Sequence, residues 1–283
     1  ADVAPTGTGG TITHADVQRA AQATSGGAAR QPTATAPVGW TSAQRDGSGS
    51  DSDEVVPRSH VARMMARAMT ASAFTAPHVT EWVDVDVTAM TGLIRVARER
   101  PDLAGLSITP LTFAALGLVR AARAHPIVNA SLAETGENLI VHGGVHLGIA
   151  VDSPRGLIVP RIPDAHNLDL RGMGQALANL IETARAGRSR PEDLRGSTIT
   201  ITNVGVFGVD GGTPILNPGE VAILALGRVL PRPWVIDGQV QVRDVVTLSL
   251  SFDHRVVDGA LGSRVLREVA DFMADPATTL ALG

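Results

Sequence analysis

Residues 245–273, VVTLSLSFDHRVVDGALGSRVLREVADFM, predict a strand, a polar loop and a helix in succession. Apolar and polar residues alternate up to Phe252, which is the period of a half-buried strand. After Gly259 the apolar residues recur at helical spacing, and the helix is expected to end at Pro276. Asp258 stands where a helix N-cap belongs. His254 therefore lies just past the end of a strand, where side chains are often presented to a cleft.

Helical and strand-like periods are interspersed along the rest of the chain. The segments predict helices at residues 58–73, from Val87 onward, within 108–126 and at 170–181, a strand at 197–203, and a hairpin over 138–152 around a Gly-Gly turn. Because hairpins argue against a purely parallel sheet, we expect an α+β fold with two layers, a mixed β-sheet and packed helices.

Three regions differ in composition. Residues 1–22 read as a Gly-rich loop and a short helix, too few residues to bury a core alone. Residues 23–53 are rich in Ala, Thr, Ser, Gly and Pro without a period, which is typical of a linker. Residues 54–283 form the main domain. The chain does not begin with Met, and we expect it to be a fragment of a longer protein.

Composition excludes several classes of function. The net charge is −4, so no basic field points to nucleic acid or to an anionic membrane. No apolar run approaches the roughly 20 residues of a membrane span. Cysteine is absent, which rules out thiolate chemistry on this chain, and a cytoplasmic protein fits this pattern. Lysine is absent too, so neither a Schiff base nor a lipoyl group linked to lysine can form here.

Several residues could carry chemistry, but each also has a structural explanation. His254 could act as a base or be a structural histidine, and Asp258 could simply cap a helix. Thr198, Thr200 and Thr202 share one strand face, which could line a channel or only face water. His142 and His146 flank the Gly-Gly turn, and exposed hairpin histidines explain them better than a metal site.

His78 is interpreted as structural. A Ser-His-Asp hydrolase is disfavoured, because no G-x-S-x-G elbow is present.

The chain resembles the dihydrolipoamide acyltransferases of 2-oxo acid dehydrogenase complexes. Residues 254–259, HRVVDG, are similar to the H-x-x-x-D-G signature that this family shares with chloramphenicol acetyltransferase. Supporting stretches occur in family order: VHLGIAVDSPRGLIVPRIPDA (145–165), TITITNVGVFG (198–208), GGTPILNPGEVAILALG (211–227) and SFDHRVVDGALGSRVL (251–266). The resemblance covers residues 54–283. Residues 5–21 resemble the second half of a peripheral subunit-binding domain, so residues 1–22 would be an incomplete copy of it.

The resemblance implies a chloramphenicol acetyltransferase-like fold and a role for each site residue. His254 matches the general base, Asp258 the residue that supports its loop, and Thr202 the hydroxyl donor to the tetrahedral oxyanion. Coenzyme A is then a substrate, the lipoyl group is supplied by a lipoyl domain not present in this chain, and no metal is required. The implied assembly is a homotrimer, with a 24-subunit cubic core as a larger form. Full-length relatives would bind the dehydrogenase and dihydrolipoamide dehydrogenase components.

Three alternatives remain open at this point. The acyl group could be branched-chain, which the general pattern resembles most, or acetyl, or succinyl. A non-catalytic core that only organises a complex is the alternative from another class, although relatives of that kind are expected to lack the histidine. An acetyltransferase for a small amine or hydroxyl acceptor is the remaining enzyme alternative.

Overall fold

The structure is a computed structural model that describes residue 53 and residues 55–133, 135–154 and 156–282. The predicted subunit-binding segment, residues 1–22, and the predicted linker, apart from its last residue, lie outside the described residues. Within the described part of the chain, no helix has the length and apolar character needed to cross a membrane.

Six α-helices are found among the described residues, and most begin where a side chain or a proline favours a helix start. They are α1 (His60–Thr75), α2 (Thr88–Arg98), α3 (Pro110–Ala124), α4 (Leu170–Arg185), α5 (Gly259–Ala274) and α6 (Pro276–Leu282). Ser59, Asp169 and Asp258 cap α1, α4 and α5 by accepting a hydrogen bond from a backbone N–H of the first turn. The cap at Ser59 explains why α1 runs two residues later than predicted.

Ten strands form one large mixed sheet and one small antiparallel pair. They are β1 (His78–Asp86), β2 (Ala130–Leu132), β3 (Leu139–Val141), β4 (Leu147–Ser153), β5 (Gly156–Ile158), β6 (Arg161–Ile162), β7 (Ile199–Asn203), β8 (Ala222–Leu226), β9 (Leu230–Ile236) and β10 (Gln239–Asp253). The large sheet has the order β1-β10-β8-β7-β4-β5, while β6 pairs with β4 and β9 pairs with β10. The strands β4, β7 and β8 are parallel, and the other pairs are antiparallel.

Helices α2 to α5 cover one face of the large sheet. Leu248, Leu250 and Phe252 of β10 point into this layer and are fully buried, as the alternation in the sequence predicts. The helices contribute to the same core Met90, Ile94, Phe113, Leu118, Met173, Leu177, Val265 and Val269. Gly262 allows α5 to approach the sheet, because a Cβ there would lie 2.5 Å from the ring of Phe252. The predicted α+β fold with a mixed sheet is confirmed.

The predicted hairpin over residues 138–152 is wrong. Its first arm, β3, pairs with β2 in the small sheet, whereas its second arm, β4, is an interior strand of the large sheet. The residues of β3 are exposed and most of those of β4 are buried. Two apolar runs around a Gly-Gly turn look alike in sequence, and the burial that separates them comes from distant strands.

A tight hairpin joins β9 to β10. Asp237 and Gly238 both have positive φ, 49° and 76°, as a two-residue turn of the type that suits twisted strands requires. On this hairpin the side chains of Val235, Val240 and Val242 are 66%, 73% and 77% exposed. The hairpin therefore presents an apolar surface, defined by these three valines, that the described part of the chain leaves uncovered.

Candidate active site

The loop that carries His254 is fixed through its backbone. The N–H of His254 donates to the carbonyl of Pro77 at 2.9 Å, across the edge between β1 and β10. The N–H groups of Val256 and Val257 both donate to the carbonyl of Asp253, at 2.9 Å each, and close a tight turn. The imidazole is exposed and rests edge-on against Phe252, with ring centroids 5.8 Å apart. His254 is thus an accessible side chain on a rigid loop.

Asp258 caps α5, as predicted. Its Oδ1 accepts a hydrogen bond from the N–H of Leu261 at 2.7 Å, and the backbone of Asp258 is extended, as an N-cap requires. The carboxylate is exposed. The cap fixes the direction in which the chain leaves the His254 loop.

The strongest side-chain contacts of the loop were missed in the sequence. Asp253 is buried, and its carboxylate accepts hydrogen bonds from the guanidinium of Arg255, which is two residues away. This contact raises the pKa of Arg255, because the hydrogen bond to Asp253 favours the charged guanidinium. The motif D-H-R was the available signal, since opposite charges stood on both sides of the candidate histidine.

Thr202 lies near the end of β7, on the face of the sheet opposite the helices. It is half-buried, between Ala150 of β4 and Ala225 of β8. Small neighbours on both sides leave its side chain accessible from this face.

Thr198 and Thr200 fit neither of the two roles predicted for them, a channel lining or a strand face in water. Neither lines a channel nor faces water, since both are buried and their hydroxyls are used internally. Thr198 accepts a hydrogen bond from the N–H of His146 at 3.0 Å. Thr200 donates to Oε1 of Glu220 at 3.0 Å and accepts from Asn217 at 2.8 Å. The sequence alone could not show that the segment with Asn217 and Glu220 covers this face of β7.

Glu220 is the centre of that buried polar cluster. Its carboxyl also accepts a hydrogen bond from Ser197 Oγ. Burial raises the pKa of Glu220, because a charged carboxylate is poorly solvated there, while the hydrogen bonds from Ser197, Thr200 and Asn217 act in the opposite direction. Gly148 makes room for the Thr200 hydroxyl, which would lie 2.3 Å from a Cβ at that position. This cluster supports the strand that carries Thr202.

A single chain does not bring His254 and Thr202 together. In the sheet, Thr202 is in register with Ala225 of β8, and Ala225 with Ser249 of β10. His254 follows Ser249 by five positions, which is about 16 Å along the strand at 3.3 Å per residue, and two strand spacings of about 4.8 Å separate them sideways. The two candidate residues therefore lie at opposite ends of the sheet.

A cleft of about 990 Å³ opens at the carboxyl ends of β4, β7 and β8, and its lining includes Asn203 but not Thr202. The start of α3, the side of α4 and the loop after β7 enclose it. Its lining includes Ala150, Asn203, Phe207, Leu226 and Arg228, so it is apolar with a few charged groups at its border. The carboxyl ends of parallel strands are a common place for ligand sites.

The histidines His78, His142 and His146 are half-buried. His78 Nε2 accepts from the N–H of Leu216 at 3.0 Å and Nδ1 contacts the carbonyl of Ala76 at 2.7 Å, which confirms its structural assignment. The expectation that His142 and His146 are exposed in a hairpin is wrong, since both are half-buried. Burial and the neighbouring His146 lower the pKa of His142. Among the described residues, no three side chains are grouped as metal ligands would be.

Comparison with known proteins decides the family. A family model described as 2-oxoacid dehydrogenases acyltransferase (catalytic domain) matches residues 50–281. The chain belongs to this family. This confirms the resemblance found in the sequence.

Relatives from two kinds of complex are similar to this catalytic domain. The acetyltransferase component of the pyruvate dehydrogenase complex of Staphylococcus aureus is 34% identical over 266 residues, which is 94% of this chain and 60% of that protein. The lipoamide acyltransferase component of the branched-chain α-keto acid dehydrogenase complex of Pseudomonas aeruginosa is 35% identical over 226 residues, 80% of this chain and 53% of that protein. The chain thus spans about 60% or less of the length of these relatives.

Two solved structures share the fold at similar identity. The dihydrolipoamide acetyltransferase of Azotobacter vinelandii has a TM-score of 0.75 at 34% identity, over 81% of this chain and 94% of that chain. That protein was used to investigate a serine, a histidine and an asparagine in its catalytic mechanism. The cubic core of a pyruvate dehydrogenase complex has a TM-score of 0.73 at 34% identity, again over 81% and 94%.

Proposed function

We propose that this chain moves an acyl group between the thiol of dihydrolipoamide and the thiol of coenzyme A, as the catalytic domain of a 2-oxo acid dehydrogenase complex. The observation that carries the proposal is the placement of three residues. The serine, histidine and asparagine of the Azotobacter vinelandii enzyme are separated along its chain by the same numbers of residues as Thr202, His254 and Asp258. This equal spacing supports assigning a hydroxyl, an imidazole and a capping side chain to equivalent positions.

The chemistry requires only a base and an oxyanion donor. A thiol near pKa 8.5 is mostly protonated at neutral pH, and neutral imidazole of His254 can take its proton. The thiolate then attacks the carbonyl of the thioester, and the hydroxyl of Thr202 donates to the oxyanion that forms. Collapse of the tetrahedral intermediate expels the other thiolate, which takes the proton back from His254. No covalent bond to the protein forms.

The separation of His254 and Thr202 supports a site shared between two copies of this chain. His254 would come from one subunit and Thr202 from its neighbour. The exposed valines of the β9–β10 hairpin support self-association as well, because soluble monomers seldom expose contiguous apolar surface. We therefore propose a homotrimer, with a cubic core of eight trimers as the larger assembly, in line with the cubic core among its structural relatives.

The partners and the location of the full-length protein are proposals of the same kind. Coenzyme A is a substrate, and the lipoyl group would be delivered by a lipoyl domain, since this chain has no lysine. Binding of the dehydrogenase and dihydrolipoamide dehydrogenase components would depend on a complete subunit-binding domain. A cytoplasmic location stays a prediction of the sequence.

We propose branched-chain acyl groups as the substrate, with acetyl transfer as the second candidate. The second candidate is favoured by a specific observation, because relatives from pyruvate complexes and from a branched-chain complex are equally similar, at 34% and 35% identity. The preference for branched chains rests on the pattern of the sequence alone.

One assay tests both levels of the proposal. Purified chain is supplied with free dihydrolipoamide and with acetyl-, isobutyryl-, isovaleryl- or succinyl-CoA, and kcat/KM is measured for each. We expect a branched acyl-CoA to exceed acetyl-CoA by about tens-fold rather than absolutely, since one methylene in an apolar pocket is worth about 1–3 kcal/mol. A preference for acetyl-CoA would assign the chain to a pyruvate complex. Transfer from none of the four would favour a non-catalytic core.

A further inference from the structure

The side chains on both sides of His254 bind each other. Asp253 is the last residue of β10 and is 3% exposed. Its Oδ1 accepts from the backbone N–H of Arg255 at 3.0 Å and from Nε at 2.9 Å, and its Oδ2 accepts from Nη2 at 2.5 Å. The guanidinium thus binds the carboxylate through two of its nitrogens, which gives the pair a fixed orientation as well as attraction.

Asp253 itself is held from the sheet. Its N–H donates to the carbonyl of Val221 at 2.9 Å, and its own carbonyl accepts from Val256 and Val257. The carboxylate therefore has a fixed place, and Arg255 is drawn back to it. The side-chain contact between Asp253 and Arg255 thus links the two residues on either side of His254 and restrains the backbone between them.

The pair restrains a residue that must be placed accurately. The imidazole of His254 is exposed, and its ring contacts Phe252 edge-on. Its direction must come from the backbone on either side. Because a misplacement of about 1 Å can cost about 100-fold in rate, a restraint of this kind affects catalysis more than stability.

We propose that Asp253 and Arg255 are positioning residues for His254, and that their contact sets the direction of the imidazole toward the reacting thiol. This inference rests on the proposed function. A buried carboxylate with a guanidinium that is 42% exposed contributes to stability as well, so the roles must be separated by measurement.

The first experiment compares Asp253→Asn, Arg255→Met and Arg255→Lys in the whole chain. We expect Asp253→Asn and Arg255→Met to lower kcat by about 10–100-fold in oligomers of normal size, with little change in either KM. Arg255→Lys keeps the charge but offers one donor nitrogen in place of two, and should recover part of the loss. The double variant should be no worse than the poorer single variant, because both changes remove one contact.

Asp271→Asn is the matched control. It breaks another Arg–Asp pair, Arg267–Asp271 on α5, whose side chains are 59% and 61% exposed. We expect near-normal kcat from it. Normal kcat in Asp253→Asn, or a loss explained by its unfolded fraction, would overturn the inference.

A second readout does not depend on turnover. The rate at which diethyl pyrocarbonate modifies His254 is followed by peptide mass spectrometry, with the exposed His60 as an internal reference. We expect Asp253→Asn to change the rate at His254 and not at His60. If the wild-type chain transfers no acyl group, the proposed function fails. The modification rate at His254 still tests whether Asp253 positions the imidazole. If wild type is active and Asp253→Asn changes neither rate nor kcat, only the positioning inference fails.

Discussion

His254 combines an exposed imidazole with a backbone N–H that donates to the carbonyl of Pro77. Because its side chain contributes little buried surface, replacing it should affect chemistry far more than folding. We expect His254→Ala to lower the acyl-transfer rate by about 10²–10⁴, as loss of a general base does, with a nearly unchanged melting temperature. Steady-state kinetics and calorimetry of the purified variant check this. Near-normal turnover in a folded variant would remove His254 from the mechanism.

Asp258, four residues later, caps the helix α5. Asp258→Ala removes the cap on α5 and should cost about 1 kcal/mol of unfolding free energy, whereas Asp258→Asn retains a capping oxygen and should cost less. Denaturant unfolding distinguishes the two. If Asp258→Asn abolished turnover with stability and the His254 loop unchanged, a direct chemical role for the carboxylate would be the better account.

At the scale of elements, β7 depends on the buried cluster around Glu220. A carboxyl whose pKa is raised on folding binds more protons in the folded state, so its favourable contribution is present at low pH. That contribution is lost as the pH rises from about 4.5, the ordinary value, through the raised pKa of Glu220. Gln keeps an acceptor for Ser197 and Thr200 without the charge. We therefore expect Glu220→Gln to gain stability relative to wild type as the pH rises.

Urea unfolding at several pH values measures this difference. Glu192→Gln is the control, because its side chain is 64% exposed and its carboxylate pairs with Arg190 at the surface. If the unfolding free energy of Glu220→Gln minus that of wild type stayed constant or fell as the pH rises, the folded protein would not favour the protonated carboxyl.

Elements with a strong local period were predictable from sequence. The strand before His254, the capped helix after Gly259 and the buried helix α3 follow from alternation, spacing and capping residues. The interior position of β4 in the large sheet was not predictable, because an apolar run does not indicate which strands will pair with it. The burial of Thr200 was also hidden, since its cover comes from Asn217 and Glu220 in a later segment. Local patterns thus fixed the elements, and long-range packing decided their surroundings.

At the scale of the whole molecule, the candidate site is divided. His254 and Thr202 are both accessible, yet they lie at opposite ends of one sheet. Sequence could name both residues through resemblance, but the register of β7, β8 and β10 was needed to show that one chain keeps them apart. If both act in one reaction, two copies of the chain must supply them.

Complementation between two inactive variants tests this claim most directly. His254→Ala and Thr202→Ala chains carrying different tags are co-expressed, and oligomers that contain both are purified. Loss of one oxyanion donor typically costs about 10²–10³ in kcat, so each parent should be clearly impaired. In a shared site, some interfaces join an intact His254 to an intact Thr202, and the account predicts activity well above the average of the two pure variants. Mixed oligomers with no more activity than that average would contradict it.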